Sequence, residues 1–439
     1  MKFLHTADWH LGNSMFDIDR TEEFNSFLHW LKETVVKEEI EVLIIAGDIF
    51  DTINPPVVSK CQYNDFLATL LETDCKNVII IGGNHDSGTL LDSEKKLLKY
   101  LNVHVVGSIN NLKPEDMVFE LFDKSKNVIG ICAAVPFARE NELRNYIEDQ
   151  DVRDKTFSDL SYGNLYKKAF EAAEKLKNGR NIPIITTGHL YAANLEGRFS
   201  DEDEESKSDD GKRKLDVLGN LGSVHAKIFP EGFDYVALGH VHYTTMVAKQ
   251  SRIRYSGSPF VLGFDEAHLP RHVLVGEIKK EQSAGELFDL NDLEIKKVEV
   301  PRFVKFKRLS GTCKDLKEEL EKLKASSKSK DPKTYIELHY KWEQGVNIYE
   351  ELEEMSADLP ENLYIANRKM QDTKSILSGK IDTWGSEELK NLNAEEIFRS
   401  LILSKKQFEG DDEEAVKKYL PYFMQILNDV ENGVPDENK

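Results

Sequence analysis

Nine residues of types that bind divalent ions or move protons come in five short bursts. Asp8 and His10 stand in HTADWH, Asp48 and Asp51 in GDIFD, Asn84 and His85 in GNHD, His189 in TTGH, and His240 and His242 in GHVH. Three aspartates, one asparagine and five histidines, with no cysteine among them, form a mixed carboxylate and imidazole set. Such a set suits Mn²⁺, Fe²⁺ or Zn²⁺. It is too large for one ion and sufficient for two. A carboxylate such as that of Asp48 can bridge two ions ~3.5–4 Å apart, the arrangement of two-metal hydrolases.

Each burst follows a short apolar run. KFLHTA (2–7) precedes Asp8, VLIIAGD (42–48) ends on Asp48, and VIIIGGN (78–84) delivers Asn84 and His85. IPIITTGH (182–189) ends on His189 and YVALGH (235–240) on His240, while VIGICAAVP (128–136) is a further run of the same kind. Runs of this length predict strands buried on both faces. Helical patterns lie between them at 17–39, 57–72 and 93–101. In the first, Phe24, Phe27, Leu28, Leu31 and Val35 share one face, and Asp19 with Glu22 three residues on predicts an N-terminal cap. Strands alternating with helices predict an α/β sandwich, its sheets flanked by helices. Ligands of such sheets collect at the carboxyl ends of strands, so the five bursts should meet at one edge. The neighbouring glycines are expected to let the backbone turn there. His5, His29, His104, His225, His268, His272 and His339 fall outside the pattern and read as ordinary core or surface residues. Asp17 and Asp86 read as structural and Trp9 as packing. Tyr191 divides between packing and substrate contact.

At 439 residues the chain has room for two or three domains and a sizeable core. Its 40% hydrophobic and 31% charged residues are ordinary for a soluble protein. No apolar run approaches the ~20 residues that cross a bilayer. The start, MKFLHTADWH, lacks the basic head and long greasy core of a secretory leader. Cys61, Cys75, Cys132 and Cys313 are scattered with no C-x-x-C, which suits reduced thiols in a cytoplasm. The net charge of −20 argues against a nucleic-acid partner, because phosphate neutralisation draws on Lys and Arg. Net charge averages the whole surface, however, and one groove can differ from it.

Beyond these motifs the composition shifts three times. GRFSDEDEESKSDDGKRKLD (197–216) is charged and poor in apolar residues, which predicts a mobile loop between two motifs. Its Lys212, Arg213 and Lys214 read as solvated charge, with phosphate contact as the alternative. After residue 280 come a strand at 298–309, a helix at 313–326, a strand at 334–342, a helix at 347–359 and a strand at 363–370. Together they make a small α/β module, to which Lys305, Lys307, Arg308, Arg368 and Lys369 lend local positive charge. A polar linker (372–393) then leads to two amphipathic helices within 394–439. Phe398, Leu401 and Ile402, and again Val416, Tyr419 and Leu420, fall at i, i+3, i+4. Tethered helices of this kind pack on their own domain or dock on a partner. The expected plan is therefore 1–280, 281–371, 372–393 and 394–439. Helices 57–72 and 90–101 hold more apolar residues than one sheet-facing stripe needs, among them Val57, Val58, Leu71 and Leu97. The surplus predicts a two-fold helical interface.

Read in order, D-x-H, G-D-x-x-D, G-N-H-D, G-H and G-H-x-H, each after a strand, resemble the calcineurin-like metallophosphoesterases. HTADWHLG, GDIFDTINPP, FDYVALGHVH and YSGSPF (255–260) resemble in particular the bacterial SbcD family of nuclease subunits, well over residues 1–280 and loosely beyond. The resemblance implies two divalent ions, Mn²⁺ first among them. One would take Asp8, His10, Asp48 and His242, the other Asp48, Asn84, His189 and His240. It implies in-line attack on phosphorus by a hydroxide, since metals lower the pKa of bound water toward ~7. His85 would be no ligand but would stabilise or protonate the leaving oxygen, with Asp51 as its orienter. It also implies exonuclease and endonuclease action on double-stranded DNA ends and hairpins, in DNA repair and recombination. The module at 281–371 would face DNA, the chain would form a homodimer, and the tail helices would bind a coiled-coil ATPase of the SbcC type. Two other readings stay open: a phosphoesterase of the same chemistry acting on a small or protein phosphate, and a non-catalytic scaffold of the same fold. The extra module and tethered helices favour the nuclease over the first, and the complete ligand set favours it over the second.

Overall fold

The computed structural model describes residues 1–16, 18–147, 156–192, 224–280, 291–328, 331–341, 348–357, 359–371 and 420. Residues Met1–Tyr340 and Gly345–Lys369 cluster as one compact unit, and Lys341–Gln344 with Met370–Lys439 as a second. Only the first is described in any detail. Asp17, the charged stretch 197–216, the linker at 372–393 and all of 394–439 but Leu420 lie outside the described residues.

The unit opens with β1 (Lys2–Thr6), α1 (Thr21–Lys37), β2 (Val42–Ala46), α2 (Val57–Leu70) and β3 (Asn77–Ile81). Next come α3 (Gly88–Ser93), α4 (Lys95–Leu98), β4 (Val103–Val106), β5 (Val118–Phe122), β6 (Val128–Ala133), α5 (Glu140–Leu143) and α6 (Thr156–Lys177). Then follow β7 (Ile184–His189), β8 (Tyr235–Gly239), β9 (Thr245–Val247), β10 (Gln250–Tyr255), β11 (His272–Lys280) and β12 (Asn291–Glu299). The last part holds β13 (Lys305–Gly311), α7 (Cys313–Ser326), β14 (Thr334–Lys341), α8 (Ile348–Ala357) and β15 (Leu363–Gln371).

These strands form two six-stranded sheets, ordered β12-β11-β1-β2-β3-β4 and β5-β6-β7-β8-β10-β9, and a three-stranded sheet, β13-β14-β15. The centre of each large sheet is parallel; antiparallel strands close both ends of the second sheet and the β11–β12 end of the first, whose β4 edge is parallel. Alternation along β2 explains the layering. Val42, Ile44 and Ala46 face a core shared with Ile131, Ile185, Val236 and Leu238 of the second sheet. Leu43 and Ile45 point the other way, to Phe24, Phe27, Leu28 and Leu31 of α1 and Phe66 and Leu67 of α2. Leu165, Tyr166 and Ala169 of α6 cover the far side of the second sheet. This is the expected α/β sandwich with both strand faces buried. No helix among the described residues is long and apolar enough to cross a membrane.

Local readings needed correction where a short-range pattern met a long-range partner. The single strand expected at 298–309 is two strands in different sheets. β12 pairs with β11 as far as Glu299, and β13 starts at Lys305 in the small sheet. The N-terminal cap of α1 is not formed by Asp19 with Glu22. Arg20 occupies the cap position without a side-chain cap bond, Asp19 accepts from Thr21, and Glu22 pairs with Lys333. The helix expected at 93–101 is broken into α3, α4 and a short 3-10 turn. Trp9 is core: it is fully buried, its Nε1 donates to Thr6, and its ring meets Phe27 and Phe66 edge-on. Tyr191 is half-buried against the shared core.

Candidate metal centre

The loops that leave the carboxyl ends of β1, β2, β3, β7 and β8 meet, and they bring all nine chemistry-bearing residues together. Among the motif glycines Gly47 turns the chain as expected, with a left-handed φ of 87° just before Asp48. The ligand-type residues themselves carry left-handed φ: Asp8 (54°), His10 (46°), Asp48 (49°) and His240 (94°). Such conformations cost about 1–3 kcal/mol each and persist where surrounding bonds over-determine them. Those bonds are present. Asp8 N–H donates to Gly47 O at 3.0 Å and His10 N–H to Asp48 O at 3.0 Å. Other glycines provide room. A Cβ on Gly83 would stand 2.1 Å from Asp48 Oδ1, and one on Gly239 would stand 2.0 Å from Ala46 O.

Each central aspartate is fixed by one oxygen and offers the other. Asp8 Oδ1 accepts from His240 N–H at 2.8 Å, and Asp48 Oδ1 from His85 N–H at 2.9 Å. Asp48 Oδ2 lies 3.2 Å from His189 Nε2 and 3.7 Å from His10 Nε2, between the two rings. His189 Nδ1 is committed to Ala46 O at 2.9 Å, which leaves Nε2 to face Asn84 Oδ1 at 3.0 Å. His240 Nδ1 reaches the same Asn84 oxygen at 2.9 Å. On the other side, ligand atoms of Asp8, His10 and His242 lie within 4.8 Å of one another, as do those of Asp8, Asp48 and His189.

Two buried atoms test whether this set fits cations. Asp8 Oδ2 and His10 Nε2 have no hydrogen-bond partner among the described residues. A buried carboxylate oxygen without a partner is costly unless a cation completes it. The residues present therefore fit divalent ions. His10, Asp51 and His85 also lie close enough to hold an ion. There, however, the Nδ1 atoms of both rings are already satisfied. His10 Nδ1 meets Asp51 Oδ1 at 3.2 Å, and His85 Nδ1 meets the Asp51 main-chain carbonyl at 2.8 Å. Asp51 thus meets His85 through its main-chain carbonyl, while its carboxylate is on His10.

The charges are strongly interdependent. Burial raises the Asp8 carboxyl to about 6, against the pull of His189. Burial also works to raise Asp48, but His189, His10 and His85 together hold it well below the usual carboxylate range. For His189, burial favours the neutral ring, yet the carboxylates of Asp48 and Asp8 win and lift it to about 9. His240 falls to about 4 and His242 to about 3, through burial first and then the neighbouring rings His189 and His10 respectively. Neutral imidazoles are the metal-binding form.

Three supports carried no signal in the spacing. Asp86, read only as structural, accepts from Ile49 N–H (3.1 Å), Phe50 N–H (2.9 Å) and Gly83 N–H (2.9 Å), stitching the β2 and β3 loops together. Arg271 donates to the His242 carbonyl at 2.8 Å and to Glu266, and Ser258 N–H, from YSGSPF, reaches the same carbonyl at 3.2 Å. Asn13 donates to Asp51 Oδ1 at 3.1 Å. Farther off, Arg308, Asn367, His339 and Lys369 gather on Glu337, which is buried in β14. Part of the local positive charge of the small module is thereby neutralised. Arg368 reaches Ser356, while Lys305 and Lys307 are exposed on β13.

Comparison with known proteins places this geometry in a family. The SbcD subunit of nuclease SbcCD from Escherichia coli (strain K12) is 28% identical over 406 residues, 91% of this chain and 92% of that protein. Its namesake from Bacillus subtilis (strain 168) is 29% identical over 287 residues, 65% of this chain and 68% of that one. A solved beta-glucosidase from Exiguobacterium marinum aligns over 84% of this chain and 89% of its own at 10% identity, with a TM-score of 0.19, too low to bear on the fold. The model of the calcineurin-like phosphoesterases matches residues 1–244, the stretch that contains all nine converging residues, and the chain belongs to that family.

Proposed function

We propose that the chain is a two-metal DNA nuclease that acts on double-stranded ends and hairpins with a coiled-coil ATPase of the SbcC type, in DNA end processing, repair and recombination in the cytoplasm. One observation carries the reading: Asp48 Oδ2 lies between His189 Nε2 (3.2 Å) and His10 Nε2 (3.7 Å), so a single carboxylate serves two ligand groups. Asp8, His10, Asp48 and His242 would hold one ion, and Asp48, Asn84, His189 and His240 the other. Mn²⁺ is the proposed metal, in keeping with a donor set of oxygen and imidazole. The names of the relatives support the substrate class and the partner.

When bound, the ions stabilise the charge that develops on the phosphoryl group and activate water at neutral pH. The protein's own residues do the rest. Asp8 and Asp48 each hold one oxygen on a backbone amide, so their free oxygens need no reorganisation. The Asp51 carbonyl fixes the proton of His85 on Nδ1, leaving Nε2 to hold or deliver a proton at the leaving oxygen. Lys305 and Lys307, with what charge Arg308, Arg368 and Lys369 retain, would meet DNA phosphates.

Metal uptake should depend on pH in a defined direction. In the metal-free chain His189 is protonated below about 9 and Asp8 below about 6. Both must lose that proton to bind an ion, so affinity should rise with pH across this window. At pH 7 binding should release at least the His189 proton. Calorimetry in buffers of different ionisation enthalpy measures that release directly, and a falling affinity would contradict the ligand assignment.

A homodimer would use the surface where Val57 (70%), Leu97 (67%) and Tyr100 (87%) remain exposed while Phe66, Leu67, Leu70, Leu91 and Leu98 are buried. Light scattering at micromolar concentration should give twice the chain mass, and Leu97→Glu with Tyr100→Glu should give a monomer.

The function is tested with the full chain, Mn²⁺ and DNA whose ends are blocked, with and without the ATPase. Cleavage should need the metal and be stimulated by ATP. A chain lacking 394–439 should keep hydrolysis of a small phosphodiester and lose the ATPase. Hydrolysis of the small ester with DNA untouched in every combination would turn the reading to a small or protein phosphate. No hydrolysis at all, with ions bound, would turn it to a scaffold.

A further inference from the structure

The Asp51 carboxylate is the meeting point of two systems. Toward the metal centre it takes His10 Nδ1 at 3.2 Å, and away from it Asn13 Nδ2 at 3.1 Å, both on Oδ1. Asn13 continues the chain, since its Oδ1 accepts from an Arg20 guanidinium N–H at 3.0 Å. Arg20 Nε in turn donates to Glu23 Oε2 at 2.7 Å. The guanidinium is buried, with its carbon 5.5 Å from the Phe24 ring centre and 5.8 Å from that of Phe260.

The chemistry of these groups makes the chain directional. The Asp51 carboxylate stands as the acceptor of both contacts, on Oδ1. Arginine can only donate. An amide between them satisfies both in one orientation only, with its oxygen on the arginine and its nitrogen on the carboxylate. The same carboxylate calls for a proton on His10 Nδ1 and turns Nε2 to the site, where it has no hydrogen-bond partner among the described residues. The Asp51 main-chain carbonyl holds His85. The outer end of the arm, Glu23, lines a cleft with Lys333 and Tyr335 of the small module.

We propose that Asn13 and Arg20 are positioning residues of the metal centre: the arm Glu23–Arg20–Asn13 locks Asp51, and through it the tautomer of His10 and the placement of His85. The inference rests on the two-metal reading and deepens it. It differs from a merely structural role in being selective. Only the ion that involves His10 should feel the arm.

The test is a calorimetric titration of the metal-free full chain with Mn²⁺. Asn13 is half-buried in a loop, and its own N–H bond to His10 O survives truncation of the side chain. Asn13→Ala should weaken one of two binding events by about 10–100-fold, the usual effect of removing an outer support of a ligating histidine, and leave the other in place. Asp51→Ala should weaken the same event. The double variant should be no weaker than Asp51→Ala, because Asn13 acts through Asp51. Arg20→Lys keeps a cation for Glu23 but loses the fork, and should fall between wild type and Asn13→Ala with its melting temperature little changed. Additive losses, equal weakening of both events, or no change in Asn13→Ala would each overturn the arm. A wild-type chain that took up a single ion would instead count against the two-metal reading, and the same cycle on that ion would still decide the arm.

Discussion

His85→Ala should lower kcat for phosphodiester cleavage by ~10²–10⁴-fold, the range of a lost general acid, and leave both ions bound. Asp48→Ala should lose the ions and the activity together. The contrast follows from which atoms each residue contributes. Through its side chain, His85 offers the site only a ring whose Nδ1 is spent on the Asp51 carbonyl, and its backbone N–H, which holds Asp48 Oδ1, survives the substitution. The ligand groups around Asp48 therefore stay in place. Asp48→Ala removes the one oxygen that lies between His10 and His189 and the counter-charge that draws protons onto both rings. Metal content by mass spectrometry beside the rate constants separates the two. A metal content that falls as far in His85→Ala as in Asp48→Ala would mean the roles are wrongly assigned.

Gly83→Ala should be nearly as damaging as removing a ligand, although it adds a single methyl group. The new Cβ would lie 2.1 Å from Asp48 Oδ1 and 2.3 Å from Asp48 N. The second contact is to backbone, which cannot rotate away. The β2 and β3 loops are also tied by Asp86 through three amides, so they cannot separate to relieve it. Overpacking of this kind costs about 1–3 kcal/mol or more. Here it acts directly on the bridging carboxylate, so metal affinity should fall along with stability. Gly163→Ala is the control. Gly163 lies in α6 with open space where its Cβ would be, and the substitution should stabilise the helix by about 0.5–1 kcal/mol. Thermal melts with and without Mn²⁺ check both. A Gly83→Ala chain with undiminished metal-induced stabilisation would refute the steric account.

The parts of this molecule that were legible in the sequence are those written in local pattern. Short apolar runs ending in Asp, Asn or His predict parallel strands that deliver side chains to one edge, and β1, β2, β3, β7 and β8 do so. Asp19 shows the limit. Its spacing to Glu22 is that of a cap, but Glu22 is drawn to Lys333 some three hundred residues away. The 298–309 run fails for a related reason: its two halves are alike in composition and differ only in which sheet completes them. At the site, residue types announced the ligands, but nothing in spacing distinguished the carboxylate of Asp51 from its carbonyl. Asn13, Arg20 and Arg271 were invisible because support of this kind is fixed by direction, not by composition. The glycines were only partly legible. Gly47 turns the chain at φ 87° as expected, but Gly83 is present for lack of a side chain, and Asp8 and Asp48 take left-handed turns of their own.

The pairing of β1 with β11 also sets a schedule for synthesis. The amino terminus is held by the carbonyl of Ile278, and Lys2 to His5 take their antiparallel partners from Leu274 to Glu277. β1, which leads into the Asp8 and His10 loop, therefore has one open edge until about 270 further residues have left the ribosome. At roughly 5–20 residues per second that interval is about 15–55 s. An unpaired apolar edge is a template for wrong partners. β1 bears Phe3 and Leu4, both wholly buried once folded. The exposed edge therefore places a burden on chaperones early, on a segment whose apolar residues the finished protein hides completely.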